Sequence, residues 1–203
     1  MMRKTTQLLL GVFIAIILVV FCGLLLIKQF IPDQVAEVKK PVVSEYKSTE
    51  DFINEIGKTA EKVASKYGLY ASVMIAQATL ESDSGNSELG SEPNYNLFGI
   101  KGKFNGQSVL YPTQEDDGKG NMRTINANFR QYPSYEDSMT DYAKLLVNGT
   151  SWNKTYYKQT FKSNAATYKE ATEALTGRYA TDSRYDKKLN ALIKQYQLQQ
   201  YDH

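Results

Sequence analysis

The chain has 203 residues, a formal net charge of +2, one histidine and one cysteine. Cys22 has no partner for an internal disulfide, and His203 is the last residue, where chains usually fray. The composition therefore disfavours zinc sites and Ser-His or Cys-His catalytic sites, and no phosphate-binding glycine loop is present. We expect no metal and no cofactor.

The first predicted element is a membrane anchor over residues 8–28. Residues 8–27 are uncharged and almost wholly apolar, and as a helix they would span roughly 30 Å of hydrocarbon. Arg3 and Lys4 favour a cytoplasmic position for residues 1–7. The apolar run ends at Lys28 without a small-residue cleavage site, which favours an uncleaved anchor over a signal peptide.

Residues 29–47 mix proline, valine and charged residues without a sustained period, which predicts an extracellular tether. The sequence thus predicts a single-pass protein of the cell membrane, whose domain at 48–203 lies outside the cell. This domain is long enough to bury a core, and it carries 18 basic and 19 acidic residues. Because nucleic-acid binding requires a basic surface, we expect no nucleic-acid partner.

The domain is predicted to be α+β and mostly helical. Its first helix begins at Ser48, whose capping partner is Asp51, and ends at Gly68. The next segment, 69–81, is apolar on nearly all sides and is typical of a buried helix. Segments 109–111 and 122–125 flank a turn-forming EDDGKGN and predict a β-hairpin, in which Pro112 indicates an edge strand. Helical patterns follow at 134–146, 165–175 and 185–196.

Glu81 stands at the end of the apolar segment, where it shares a helical face with Met74, Gln77 and Ala78. Apolar surroundings and the negative end of the helix dipole both raise the pKa of a carboxyl group. A carboxylic acid that stays protonated near neutral pH is what a general acid in glycosidic cleavage requires. The alternative is that Glu81 only solvates a helix end, and its position alone does not decide between the two.

Five blocks of sequence bear on this choice. They are AQATLESDSG (76–85), NYNLFGIKG (94–102), TQEDDG (113–118), FRQYPSYEDSMTDYAKLL (129–146) and RYATDSRYDKKL (178–189). In order and approximate spacing they closely resemble the glucosaminidase domain of glycoside hydrolase family 73, which is found in peptidoglycan autolysins. The resemblance covers nearly all of residues 50–200.

The resemblance implies a lysozyme-like fold and hydrolysis of the β-1,4 bond after N-acetylglucosamine in peptidoglycan glycan strands. Glu81 matches the catalytic acid of the family, and Tyr179 matches an active-site tyrosine in its YATD block. Glu115 falls where the family carries a second acidic residue on the hairpin. Its role stays open: it is a base, a nucleophile, or a group that orients the substrate's own 2-acetamido group, and an ordinary acidic turn is the alternative.

Five further residues are candidates for binding sugar. Phe98, Tyr132 and Tyr185 have rings that suit stacking on sugars, although most aromatic residues at helical spacing belong to the core. Asn96 and Gly99 would let the backbone approach a glycan closely.

Two other functions remain open from the sequence. One is a muramidase or lytic transglycosylase on the same fold, and the other is an inactive glycan-binding scaffold. The sequence identifies no regulatory membrane protein as a partner.

Overall fold

The computed structural model describes residues 46–116 and 122–203. The predicted cytoplasmic tail, the predicted anchor at 8–28 and nearly all of the predicted tether at 29–47 lie outside these residues. Within the two described ranges, no helix combines the length and the apolar character needed to cross a bilayer.

The first helix, α1, spans Thr49–Tyr67 and has the two ends that the sequence predicts. The Ser48 side chain accepts a hydrogen bond from the backbone N–H of Asp51, which otherwise has no partner within the first helical turn. Gly68 ends the helix in the left-handed conformation, with φ of 70°. One face of α1, including Phe52 and Ile56, is buried in the core.

The second helix, α2, spans Ala71–Ser82 and forms the centre of the domain. All of its residues from Ala71 to Thr79 are buried, as its apolar sequence predicts. It packs against α1 and against the helices from the C-terminal part of the chain. Because α2 is enclosed for most of its length, only its last turn reaches the surface.

The β-hairpin consists of β1 (Ser108–Asp116) and β2 (Met122–Arg130), which pair antiparallel and form a two-stranded sheet. Both strands are longer than the sequence predicts. Pro112 lies opposite Asn126, and in a two-stranded sheet either strand has a free edge that tolerates a proline. The base of the hairpin joins the domain through a hydrogen bond of 2.9 Å from the Arg130 N–H to the carbonyl of Ile100.

Three helices follow the hairpin. Helix α3 spans Tyr135–Asn148 and packs against α1, with Ser134 as its N-cap. Helix α4 spans Tyr168–Leu175, so the predicted start at residue 165 is three residues early. Helix α5 spans Tyr185–Gln195 and agrees with the predicted segment.

Short 3₁₀ turns occur at Lys158–Thr160 and Leu198–Tyr201. The second turn packs against α2 and leads to Asp202. The Asp202 carboxylate accepts hydrogen bonds from the backbone N–H of Ser72, at 2.8 Å, and from the Ser72 hydroxyl, at 2.6 Å. Since Tyr70 provides no side-chain cap, Asp202 caps the first turn of α2 across the fold.

The opposite end of α2 contacts the segment that leads into α1. The Tyr46 hydroxyl donates to the Asp83 carboxylate at 3.1 Å, and the hydroxyls of Thr49 and Ser84 are 2.8 Å apart. The loop that follows α2 is therefore fastened to the first described residues of the chain.

Candidate active site

Glu81 lies in the last turn of α2, at the point where the chain leaves the helix. Three successive residues, Asp83 to Gly85, have positive φ angles, and the chain turns sharply there. The Ser82 hydroxyl donates to the carbonyl of Ala78 and accepts from the N–H of Gly85, which fixes the turn. This local structure brings the Glu81 side chain to the surface while residues 71–79 of α2 stay buried.

Glu81 lines an open cleft of roughly 430 Å³. The cleft also contains Phe98, Gly99, Lys101, Arg130 and Tyr179. The loop after α2, the base of the hairpin and the segment between α4 and α5 therefore meet beside the carboxyl group of α2. The structure thus brings together four of the residues that the sequence singled out: Glu81, Phe98, Gly99 and Tyr179.

The environment of the Glu81 carboxyl group raises its pKa above the ordinary range, chiefly through burial. A hydrogen bond of 2.6 Å from the Tyr185 hydroxyl to Oε1 and the positive charge of Lys188 act in the opposite direction. The residue is exposed at the cleft, and burial of its carboxyl group is nevertheless the largest influence on its pKa. Glu81 thus combines access to the cleft with a raised pKa, in the direction that the sequence predicts.

Tyr179 joins two sides of the cleft. Its hydroxyl donates a hydrogen bond of 2.9 Å to the backbone carbonyl of Phe98. Burial raises the pKa of Tyr179 well above its usual range, so the phenol stays neutral. Because the proton is engaged by Phe98, the oxygen of Tyr179 is left to accept a hydrogen bond from another group.

Phe98 and Gly99 form a second part of the lining. The Phe98 ring is almost fully buried and stacks on Tyr142, with 4.1 Å between ring centroids and 12° between planes. Gly99 has φ of 61° and is exposed. No heavy atom lies within 4 Å of the position that a Cβ would take, so the backbone at Gly99 is open to a ligand.

The structure does not bring Asn96, Tyr132 and Tyr185 to the lining of this cleft. The buried amide of Asn96 bonds the N–H and carbonyl of Ile100 and the carbonyl of Arg130, and so fixes the loop beside the hairpin.

Tyr132 donates to Asp141 at 2.7 Å, packs on Phe104 and lines a separate pocket of about 260 Å³. Tyr185 lies beneath the acid with its ring buried, so it holds Glu81 and presents no face to a sugar.

Glu115 belongs to β1, with its backbone opposite Arg123 of β2. Its side chain lies outside the part of the chain that the structure describes, so its role beside Glu81 stays a prediction. Among the residues that are described, no group of three His, Cys, Asp or Glu side chains is placed to hold a metal ion.

Sequence reasoning missed several residues of the site. Lys101 and Arg130 line the cleft, and Gln77 and Tyr142 lie behind Glu81. Gln77 carried a signal, because an amide within an almost wholly apolar helix needs a buried partner. For Lys101, Arg130 and Tyr142 the sequence contains no comparable signal.

Known proteins share both the sequence and the fold of this domain. A profile described as mannosyl-glycoprotein endo-beta-N-acetylglucosaminidase, the glucosaminidase family, matches residues 57–198. The chain belongs to the glucosaminidase family. The catalytic domain of the autolysin Auto from Listeria monocytogenes superposes with a TM-score of 0.72 and 54% identity, covering 79% of this chain and 92% of that one. The predicted mostly helical, lysozyme-like domain with a small hairpin is therefore confirmed as the fold of this family.

Curated relatives match this chain at similar identity. The exo-glucosaminidase LytG of Bacillus subtilis is 47% identical over 152 residues, which is 74% of this chain and 52% of that protein. A probable N-acetylmuramidase of Lactococcus lactis is 49% identical over 155 residues, which is 76% of this chain and 35% of that protein. This chain spans only 26% of the N-acetylmuramoyl-L-alanine amidase domain-containing protein of Staphylococcus aureus, at 52% identity.

Proposed function

We propose that the domain at 48–203 is a peptidoglycan hydrolase, an endo-β-N-acetylglucosaminidase that cleaves the β-1,4 bond between N-acetylglucosamine and N-acetylmuramic acid. The observation that carries this proposal is Glu81, a carboxyl group with a raised pKa at the edge of an open cleft. Membership of the glucosaminidase family supports the reaction class.

In the first step, the protonated Glu81 donates its proton to the glycosidic oxygen as the bond to the anomeric carbon breaks. The hydrogen bond from Tyr185 stabilises the carboxylate that this transfer leaves behind. The second step is attack on the anomeric carbon by water that gives its proton to Glu115, by the Glu115 carboxylate, or by the substrate's 2-acetamido oxygen. In the last two routes, water then hydrolyses the covalent intermediate and gives a proton back to the Glu81 carboxylate. In the last case the Tyr179 oxygen accepts the acetamide N–H and Glu115 orients the group.

Two basic side chains also line the cleft, Lys101 and Arg130. Asp141 pairs with Arg130 and offsets its charge.

A second candidate is cleavage of the alternate bond, as an N-acetylmuramidase. The observation that favours it is the 49% identity to proteins named probable N-acetylmuramidases. The two reactions leave different sugars at the new reducing end. Purified peptidoglycan is digested, the new ends are reduced with borohydride, and the sugar alcohols are identified. We expect glucosaminitol, and muramitol would move the assignment to the second candidate.

The test of Glu81 uses Glu81→Gln in the same digest. The amide keeps the acceptor oxygen for Tyr185 but has no acidic proton, so we expect hydrolysis to fall by about three orders of magnitude or more, with glycan binding retained. Unchanged hydrolysis would remove Glu81 as the acid. If the wild-type domain binds glycan strands but releases no new reducing ends, the inactive scaffold replaces the enzyme.

The role of Glu115 has its own variant. Glu115→Gln with turnover near the wild-type value would assign the attack to the acetamido group, because a base or nucleophile cannot be replaced by an amide. A loss comparable with that of Glu81→Gln would assign Glu115 a direct part in the chemistry.

We also propose that residues 8–28 anchor the protein in the cell membrane with the domain outside. The apolar run and its flanking Arg3 and Lys4 support this. Fractionation of cells and protease treatment of spheroplasts test it. We expect the protein in the membrane fraction with the domain accessible to protease, and recovery of the full chain in the soluble fraction would contradict the anchor.

A further inference from the structure

Three buried polar side chains behind Glu81 form a continuous chain of hydrogen bonds. They are Gln77 on α2, Tyr142 on α3 and Tyr185 on α5, and their exposed fractions are 0%, 1% and 3%. The Tyr142 hydroxyl donates to Gln77 Oε1, and Gln77 Nε2 donates to the Tyr185 oxygen at 3.0 Å. The Tyr185 hydroxyl donates to Glu81 Oε1 at 2.6 Å. Side chains from three helices thus end on one oxygen of the acid.

The direction of these hydrogen bonds is set by Tyr142, which lies at the end of the series away from Glu81. A hydroxyl has one proton to donate, and an amide donates only from nitrogen and accepts only at oxygen. Within the described residues, Gln77 is the only hydrogen-bond partner of the Tyr142 hydroxyl. The Tyr142 proton therefore goes to Gln77 Oε1, which turns Nε2 toward Tyr185 and leaves Glu81 as the acceptor for the Tyr185 proton.

The reverse direction carries an energetic cost. If the Gln77 amide were turned over, its oxygen would accept from Tyr185, and its nitrogen would donate to Tyr142. The Tyr142 proton would then be buried without an acceptor in the described part of the chain, which is unfavourable. Tyr142 thus sets the direction of the hydrogen bond between Tyr185 and Glu81, although Tyr142 has no hydrogen bond to Glu81 itself.

We propose that Tyr142, Gln77 and Tyr185 are positioning residues that keep the transferable proton of Glu81 on Oε2, the oxygen that Tyr185 does not contact. This inference rests on the proposed function, in which Glu81 is the general acid. Oε1 already accepts a hydrogen bond from Tyr185. Because the carbonyl oxygen of a carboxylic acid is a better acceptor than its hydroxyl oxygen, this bond favours Oε1 as the carbonyl oxygen and Oε2 as the oxygen that carries the proton. In the reversed chain, Glu81 would donate inward to Tyr185 and withdraw its proton from the cleft.

Other groups around Glu81 do not replace this effect. Among the residues that the structure describes, the titratable and charged groups that face it are Tyr185 and Lys188 on α5, Tyr142 on α3, Tyr157 after α3, Tyr179 before α5, and Lys101 and Arg130 at the cleft. All four tyrosines have a pKa raised by burial and are neutral. Lys188 pairs with Asp182 at 2.6 Å and lowers the pKa of Glu81 less than the hydrogen bond from Tyr185 does.

The hydrogen-bond chain from Tyr142 to Glu81 also affects the rate of hydrolysis. As Glu81 gives up its proton, its hydrogen bond to Tyr185 becomes charge-assisted and strengthens, so it stabilises the transition state more than the resting acid. Loss of a hydrogen bond to a charged group corresponds to about a ten- to hundredfold decrease in kcat. KM should change little, because none of the three residues lines the cleft.

The test compares the wild-type domain with Tyr142→Phe and Tyr185→Phe. The carboxyl carbon of Glu81 is followed by NMR through a pH titration of ¹³C-labelled protein without substrate, and kcat on peptidoglycan is measured across pH. We expect both Tyr→Phe variants to move the Glu81 titration and the basic limb of the kcat profile to higher pH. We also expect kcat to fall by about ten- to a hundredfold in Tyr185→Phe.

Tyr142→Phe is the decisive variant, because Tyr142 has no hydrogen bond to Glu81 and its ring packing is retained. The matched control is Tyr70→Phe, which removes a tyrosine hydroxyl that donates to the carbonyl of Ala165 at 2.9 Å, next to the opposite end of α2. It should leave the Glu81 titration unchanged. A purely structural role would lower the Tm of Tyr142→Phe without moving that titration.

An unchanged Glu81 titration in Tyr142→Phe, or an equal shift in Tyr70→Phe, would overturn the inference. The NMR titration needs no substrate, so its result stands apart from the proposed function. If the wild-type domain does not cleave peptidoglycan while Tyr142→Phe still shifts the titration, the hydrogen-bond chain is upheld and the enzymatic proposal fails.

Discussion

Asp202 offers a test of how the fold holds the helix that carries the acid. Its carboxylate accepts hydrogen bonds from the N–H and the hydroxyl of Ser72 in the first turn of α2, 130 residues away in sequence. Ser72 is fully buried, and Tyr70 at the N-cap position provides no side-chain hydrogen bond. In Asp202→Ala, we expect the first turn of α2 to lose the one side-chain cap that it has among the described residues.

The magnitude follows from two contributions. A buried N–H left without a partner costs about 1–3 kcal/mol, and loss of a carboxylate at a helix N-terminus costs about 0.3–1 kcal/mol. We therefore expect Asp202→Ala to lower the free energy of unfolding by about 2–3 kcal/mol. For a domain of this size, the corresponding decrease in Tm is roughly 5–10 °C. Asp202→Asn keeps an acceptor and loses only the charge, so about 1 kcal/mol is expected.

The assay is urea unfolding of residues 46–203 followed by circular dichroism, with the midpoint and slope compared between variants. Gln200→Ala is the matched control, because Gln200 is exposed in the same 3₁₀ turn. It should change the free energy of unfolding by less than about 0.5 kcal/mol. If Asp202→Ala and Gln200→Ala unfold at the same urea concentration, Asp202 is not a cap for α2.

Three further changes have definite expected outcomes. Because the folded state raises the pKa of Glu81, the stability of the wild-type domain falls as pH rises from the ordinary glutamate range through the raised pKa. Glu81→Gln should therefore have a higher Tm than wild type at pH 7 and no such advantage near about pH 3. An equal difference in Tm at both pH values would contradict this. Asn96→Ala removes three hydrogen bonds of a buried amide, including the one from the N–H of Ile100. It should lower the free energy of unfolding, measured in urea, by about 2–4 kcal/mol. A decrease of less than about 1 kcal/mol would refute the hydrogen bonds described for Asn96. Gly85→Ala would place a Cβ 2.8 Å from the buried ring of Phe52, on a backbone with φ of 77°. We expect the free energy of unfolding to fall by about 2–4 kcal/mol in the same assay. A stability equal to that of wild type would show that the turn can relax.

Helix ends were predictable from sequence where both partners lie within one turn. Ser48 and Asp51 are three residues apart, and so are Ser134 and Asp137, so capping bonds of this kind leave a local signature. The start of α4 was placed too early even though such a signature exists. The Thr167 hydroxyl accepts from the N–H of Glu170, and this pair marks the true start of the helix.

The position of Glu81 was predictable because it depends on one helix and its end. The apolar character of α2 predicts burial up to that residue, and the turn at Asp83 to Gly85 places it at the surface. Its hydrogen-bond partner was not predictable. Tyr185 is 104 residues away, and no periodicity within α5 distinguishes a ring that faces the core from one whose hydroxyl reaches a distant carboxylate.

The candidates for sugar binding also differ in whether their role depends on local sequence or on distant partners. Gly99 has an intrinsic backbone freedom that sequence reveals, and it lies in the cleft. Asn96 and Tyr132 resemble surface-binding groups in sequence, yet their polar atoms bond the backbone of Ile100 and the carboxylate of Asp141. The folded chain alone decides whether such a group has found a partner inside the protein.

Helix α2 is attached at both ends to residues far from it in sequence, to Asp202 at its first turn and, through Asp83 and Ser84, to Tyr46 and Thr49 beyond its last. Anyone who trims this domain for crystallisation or joins it to another domain should therefore retain residues 46–202 intact. Removal of only a few residues at either boundary would loosen helix α2, which carries Glu81. Turnover would then decrease before any change in secondary structure became measurable.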